Sequence, residues 1–286
     1  MKLLFYSLIL TLALTSCDII NPDEQEPAYL IVEGYDFQTF AGQGVASEKF
    51  TELWTYTNDN ILSIHQVGAY TPILNQGPTK VSIRPGIKNY GISDQRIYYP
   101  FIQPYDTILD FQPFKEHVIH AKFRYYPNVI IDATRNFETG NNFTPVDGAN
   151  QGYFDIVNDP NIAFEGNRCG KAYTTSGSTI FFKDENAFQL VAGKTTFLEM
   201  HYSCKHPFTI GVASTVGSSV YTNDLVTMSA TANDNLPAWN QIYIDLSPIA
   251  LLYPNASSHN LYFLSTTNNG QPLLIYLDNL KIVNWP

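Results

Sequence analysis

Cationic side chains are scarce in this chain. Only 16 Lys+Arg stand against 26 Asp+Glu, and charged residues make up 15% of 286. The net charge of −10 excludes nucleic acid and anionic head groups as partners held by bulk electrostatics. Helical periodicity sustained over three turns is almost absent, which argues against a helical fold. The chain has no Gly-x-Ser-x-Gly, no His-Glu-x-x-His and no Gly-rich loop opening a helix, so the expectation is a non-enzyme. His117 and His120 lie three apart on a strand pattern and point to opposite faces, so they do not chelate one metal. Tryptophan occurs three times, which leaves few ready platforms for stacking sugar rings. Trp54 sits inside a strand pattern, Trp239 opens one and is expected to anchor the core, and Trp285 is next to the C-terminus.

One long apolar run is present, at the N-terminus. Lys2 precedes Leu3 to Leu14, about a dozen residues where a bilayer span needs roughly twenty. The run fits the h-region of a secretory signal. No other stretch reaches spanning length, so the rest is expected to be soluble and tethered. Leu14-Thr15-Ser16-Cys17 closes the run and resembles the bacterial lipobox. That resemblance implies a signal peptide over 1–16 and acyl chains on Cys17, which anchor the protein in the outer membrane, on either face. Residues 17–28 read as a flexible stalk, polar, acidic and interrupted by two prolines. Acidic residues behind the cysteine are similar to the surface-export signals of Bacteroidetes lipoproteins, although Ile19 and Ile20 interrupt them here. Loss of Lys2 leaves 15 Lys+Arg against 26 Asp+Glu in the mature chain, a net −11.

Abundant Tyr and Phe, with many Thr, Asn, Gly and Pro, are the composition of turn-rich β-sheet proteins. Over 29–126 the strand candidates are YLIVEGY, FTELWTYT, ILSIHQVG, TKVSIRPG, DTILDF and EHVIHAKFRYY. Asn58-Asp59-Asn60 is a hairpin turn, Thr71-Pro72 ends a strand, and Asn75-Gln76-Gly77 turns again. This spacing resembles the PEGA-type module, which implies a small β-sandwich without catalytic residues.

Over 127–286, WNQIYIDLSPI places Ile242, Ile244 and Leu246 inward and Gln241, Tyr243 and Asp245 outward. FLEMHYSC likewise puts Leu198, Met200, Tyr202 and Cys204 on one face and Glu199, His201 and Ser203 on the other. With NFETG, FEGNRCGKAY, HNLYFLSTT and the closing PLLIYLDNLKIV, the block resembles galactose-binding and carbohydrate-binding jelly rolls. The fold class expected is therefore all-β, a PEGA-like sandwich followed by a jelly-roll sandwich. The jelly-roll resemblance implies a candidate structural Ca²⁺ held by Glu138 and Asp278. Asp278 is read as sharing a face with Leu274, Tyr276, Leu280 and Ile282, where an unpaired carboxylate is costly. Backbone amides or Asn279 satisfy it equally well. Cys169 and Cys204 either form a disulfide or remain two buried thiols.

Residues 84–105 resist a core explanation. Arg84, Lys88 and Arg96 fall there among Tyr90, Tyr98 and Tyr99, with little periodicity. Arg and Tyr favour interface centres, so the stretch reads either as a partner-binding loop or as a loop folded back on the second block. It looks like sequences of two-domain Bacteroidetes lipoproteins. Two functions follow. One is an accessory or scaffold subunit docked on an outer-membrane protein assembly for secretion, uptake or surface display. The other is a glycan-binding accessory lipoprotein.

Overall fold

The computed structural model describes residues 25–175, 179–232, 237–267 and 270–286. Cys17 and the signal segment lie outside the described residues. The chain is all-β: the described residues form nineteen strands and one short helix, and none of their helices is long and apolar enough to cross a membrane.

The N-terminal sandwich has two sheets on one core. In the first, β1 (Ala28–Gln38) lies between β4 (Tyr70–Ile73) and β8 (Glu116–Arg124), parallel to β8. In the second, β3 (Asn60–His65), β2 (Glu52–Thr57) and β5 (Gly77–Lys88) follow in order. The far edge of β5 is shared end to end by β6 (Arg96–Tyr98) and β7 (Tyr105–Phe111). Alternation buries Leu30 and Val32 against Val81, Ile83 and Phe123. The β2–β3 turn places Asn58 and Asp59 at φ +48° and +66°, the left-handed pair that matches strand twist. Contrary to expectation, Thr71-Pro72 does not end a strand; it lies within β4, an edge strand that tolerates a missing donor.

The C-terminal sandwich alternates between its sheets as a jelly roll does. One sheet runs β10 (Phe143–Pro145), β13 (Thr179–Asp184), β18 (Ser258–Thr266), β15 (Phe208–Val216), β16 (Ser219–Met228). The other runs β11 (Tyr153–Asn158), β12 (Arg168–Tyr173), β19 (Leu274–Asn284), β14 (Thr196–Cys204), β17 (Asn240–Asp245), and β9 (Ile130–Arg135) pairs with the end of β19. Helix α1 (Ser247–Leu252) follows β17. Leu198, Met200, Ile242, Ile244, Ile275 and Leu277 face the core, as alternation requires. Arg135 of β9 is tied to Asp184 of β13 by a buried ion pair that links the two sheets.

The expected placement of Asp278 is corrected, and two open alternatives are decided. Asp278 does not share a face with Leu280 and Ile282. Asn279, at φ +48°, makes a bulge that reverses parity, so Leu280 and Ile282 join the core while Asp278 stays on the outer face. Cys169 and Cys204 are free thiols, because Cys204 belongs to the inner core and Cys169 to a cluster on the outer face. Residues 84–105 fold back on the second sandwich, the second of the two readings, and include the end of β5, β6 and the docked segment.

That docking buries part of the outer face of the second sandwich. Every residue of β14 is buried: Phe197, with Tyr243 and Val283, enters the core of the first sandwich, while His201 lies under Phe164. Glu199, only 2% exposed, points into this seam. Tyr99 Oη donates to its Oε1 at 2.5 Å, and Tyr125 Oη donates to Oε1 and Oε2 at 2.7 and 2.9 Å. Lys281 Nζ donates to the Val45 carbonyl at 3.1 Å, and Gly44, at φ +75°, lets the chain pass: a Cβ there would lie 2.9 Å from Lys281 Cε.

Replacing Tyr99 and Tyr125 together by Phe should cost at least about 3 kcal/mol, since a buried carboxylate loses its donors. Adding Glu199→Met to that double variant should recover most of the loss, because no uncompensated charge remains. Urea denaturation of the three proteins checks both statements.

Candidate binding cleft

Two recesses open along the seam where the 46–49 segment crosses the outer face of the second sandwich. One, of about 440 Å³, is lined by Phe164, His201, Trp239, Asn240, Gln241 and residues 46–49. The other, of about 490 Å³, lies between Lys49, Lys88, Tyr90, Tyr202, Thr227 and Tyr243. They share Lys49, Asn240 and Gln241, and Lys49 Nζ donates to Asn240 Oδ1 across the divide.

The aromatic wall follows from strand parity. Trp239 immediately precedes β17 and has the parity of Gln241 and Tyr243, so its indole stands on the outer face. Contrary to expectation, it packs on the outer-face cluster of Cys169, Leu274 and Tyr276 and does not anchor the inner core. Its Nε1–H donates to the Ile162 carbonyl at 3.0 Å, and its ring meets Phe164 edge-on at 5.9 Å. Phe164, 37% exposed, stacks on His201 with centroids 3.7 Å apart.

The loop presenting Phe164 is held by the two carboxylates expected to bind calcium. Asp278 Oδ2 accepts from the amides of Phe164 and Glu165 at 3.1 and 3.3 Å, and Oδ1 from Asn279 at 2.8 Å. Glu138 Oε1 accepts from the amides of Asn167 and Arg168 at 2.7 and 2.9 Å. The pair thus grips two ends of one loop. Among the described residues no group of three or more His, Cys, Asp or Glu is arranged to hold a metal ion.

Two polar atoms beside the cleft lack partners, while Asn240 and Gln241 are hydrogen-bonded. His201 is 3% exposed, and its Nδ1 has no hydrogen-bond partner; neither has the buried Ser47 Oγ. Burial, reinforced by the Lys281 charge, pulls the His201 pKa down to about 3, so the imidazole is neutral. Gln241 Nε2 donates to the Ser47 carbonyl at 3.4 Å and to Tyr243 Oη at 3.2 Å. Such an arrangement can accept a ligand rich in hydroxyls with one apolar face.

The six residues expected to bind a partner are dispersed. Tyr99 is buried in the seam, and Tyr90 Oη donates to the Asp245 carbonyl at 2.6 Å. Arg84 lies 5.0 and 5.1 Å from the ring centres of Tyr56 and Tyr98. Arg96 Nε donates to the Ser93 carbonyl at 2.9 Å, and Lys88 lines the larger recess. Phe164, Lys49, Asn240 and Gln241 carry no site signal in the sequence, where His201 is only an outward residue opposite Cys204. For Trp239 the signal was present in the alternation that placed Ile242 inside.

His201 makes stability pH-dependent. Its folded pKa lies below the ordinary 6.5, so only the unfolded chain takes up a proton between pH 6.5 and about 3. Its contribution therefore falls as pH drops through that window, by up to about 1.4 kcal/mol per pH unit. The stability of His201→Gln relative to wild type should rise over the same window in urea titrations.

No protein-family model and no curated protein matches the chain. Among solved structures, it is similar to one described by the promiscuous specificity of carbohydrate-binding modules of the β-sandwich superfamily, with 16% identity, 91% of this chain and 99% of that chain covered, and a TM-score of 0.42. The CBM22-1 xylan-binding domain of Paenibacillus barcinonensis Xyn10C aligns over 55% of this chain and 95% of its own, at 15% identity and a TM-score of 0.38. A family 11 carbohydrate-binding module from Clostridium thermocellum, in complex with a mixed-linked tetrasaccharide, aligns over 54% and 94%, at 12% identity and a TM-score of 0.36.

Proposed function

We propose that this protein binds glycan without altering it chemically, from a lipid tether in the outer membrane. One observation carries the glycan reading. An aromatic wall of Trp239 and Phe164 stands beside two buried polar atoms without partners, His201 Nδ1 and Ser47 Oγ. Buried polar groups are normally satisfied, so this pair invites hydrogen bonds from a ligand. A sugar ring matches the wall and the polar groups together: its C–H face packs on an aromatic ring and its hydroxyls bond neutral polar groups at the edge. Asn240 and Gln241 extend the polar rim. The accessory-subunit reading is the weaker, because Tyr90 and Tyr99 are committed to contacts within the chain. The membrane tether rests on Leu14-Thr15-Ser16-Cys17.

Affinity electrophoresis in gels containing soluble polysaccharides tests the glycan reading. The wild type should be retarded by at least one, and Trp239→Ala should weaken that binding about tenfold or more, a loss of about 1.4 kcal/mol. Equal retardation of wild type and Trp239→Ala would remove this cleft from consideration. The tether is tested separately: Cys17→Ser should abolish labelling by a radioactive fatty acid and release the protein from membranes.

A further inference from the structure

The larger recess carries a charge pattern opposite to that of the chain. The protein holds 26 Asp+Glu against 16 Lys+Arg, yet the lining of this recess includes Lys49 and Lys88 and no carboxylate. Neither lysine takes part in any of the four ion pairs seen among the described residues. Lys49 Nζ has the neutral Asn240 Oδ1 as its acceptor, and Lys88 Nζ reaches only Ser93 Oγ, at 3.4 Å. Glu48, next to Lys49 in sequence, faces the smaller recess and engages Tyr35 instead.

The two ammonium groups repel each other. Burial, and then the charge of Lys88, lower the proton affinity of Lys49. Holding like charges together without a counter-charge is unfavourable, and in a chain rich in acids it is avoidable. Hydroxyls of Thr227 and Ser229 line the same recess and supply neutral donors beside the cations, while the Thr51 hydroxyl donates to Glu52 Oε2 at 2.7 Å. A small anionic group carried on a polar ring fits this combination, since charge-assisted hydrogen bonds are the strong ones.

We propose that the larger recess receives a sugar unit bearing an anionic substituent, a uronate carboxylate or a sulfate ester, while a neighbouring unit of the same chain lies against Trp239 and Phe164. This rests on the glycan reading above and narrows it to acidic polysaccharides. The shared residues Lys49, Asn240 and Gln241 make the two recesses adjacent, as neighbouring units of one polymer require. The negative net charge of the protein opposes the approach of an anionic polymer, so recognition depends on the lysine pair rather than on long-range attraction.

Two matched pairs of polymers test this by affinity electrophoresis with the full mature chain: polygalacturonate against its methyl-esterified form, and dextran sulfate against dextran. The charged member of at least one pair should bind about tenfold or more tightly than its neutral counterpart. Preference within the first pair identifies a carboxylate and within the second a sulfate. The double variant Lys49→Gln/Lys88→Gln should lose that preference, with a melting temperature no lower than wild type. Trp239→Ala should weaken the charged and neutral members alike. Equal binding of charged and neutral members, or a preference that survives in the double lysine variant, overturns the anionic unit and leaves glycan binding intact. Binding to none of the four polymers overturns the anionic unit, and the wider set of polysaccharides then decides the glycan reading on its own.

Discussion

The buried carboxylate of Glu199 is the constraint on which the two sandwiches depend. Burying an ionised carboxylate costs several kcal/mol even after the surroundings relax. Hydrogen bonds to a charge return about 1.5–3 kcal/mol each, so the two donors, Tyr99 and a bifurcated Tyr125, are of the size needed to offset it. Both donors belong to the N-terminal sandwich, while Glu199 belongs to the C-terminal one. Burial, then the Glu199 charge, hold both phenols well above their ordinary pKa, so they remain donors. The C-terminal sandwich therefore cannot satisfy its own outer face. It needs the partner sandwich to cover Phe197 and Glu199, while the Phe164 loop covers His201, so β14 is buried on both faces although its sequence alternates.

The cleft is a product of the same seam. Its floor is the outer face of β14 and β17, and its near wall is chain from the N-terminal sandwich. The segment carrying Ser47 and Lys49 is pinned by bonds at either side: Lys281 Nζ donates to the Val45 carbonyl, and the Lys49 amide donates to Tyr243 Oη at 3.0 Å. Tyr243 is itself buried in the seam. Contacts that join the sandwiches thus also set the width of the cleft, and a ligand spanning it would touch both.

Much of the architecture was legible because it rests on local rules. Period-two alternation placed Ile242, Ile244, Leu198 and Met200 in the core, and left-handed Asn and Asp made the β2–β3 turn. The failures share a cause. Alternation tells which face a side chain takes, but not what covers that face. Glu199 and Tyr243 looked like solvent-facing residues, and residues 84–105 looked like a loop, because the seam joins residues about a hundred or more apart in sequence. Asn279 defeated the rule itself, since one bulged residue reverses parity for the rest of β19. Trp239 was different: its parity was readable, and the assumption that a large aromatic must enter the core overrode it.

His201 and Asp278 sit directly opposite each other on β14 and β19, yet they do not form an ion pair. The imidazole is stacked on Phe164, and the carboxylate is turned to the amides of the loop that presents Phe164. Burial acts on both, in opposite senses. It lowers the pKa of the base to about 3 and, despite three amide donors, raises that of the acid to about 7. In the folded state Asp278 holds a proton that the unfolded chain gives up above its ordinary 3.8, so its contribution is greatest in acid and is lost as pH rises through about 7. His201 contributes in the reverse direction over an overlapping window. The two slopes oppose each other, and the wild-type face changes stability less in mild acid than either residue alone dictates. Asp278 and His201 thus both bear on the Phe164 loop without a direct bond between them. An uncharged pair in mild acid, followed by a carboxylate held by amides above about pH 7, keeps that loop anchored across the range.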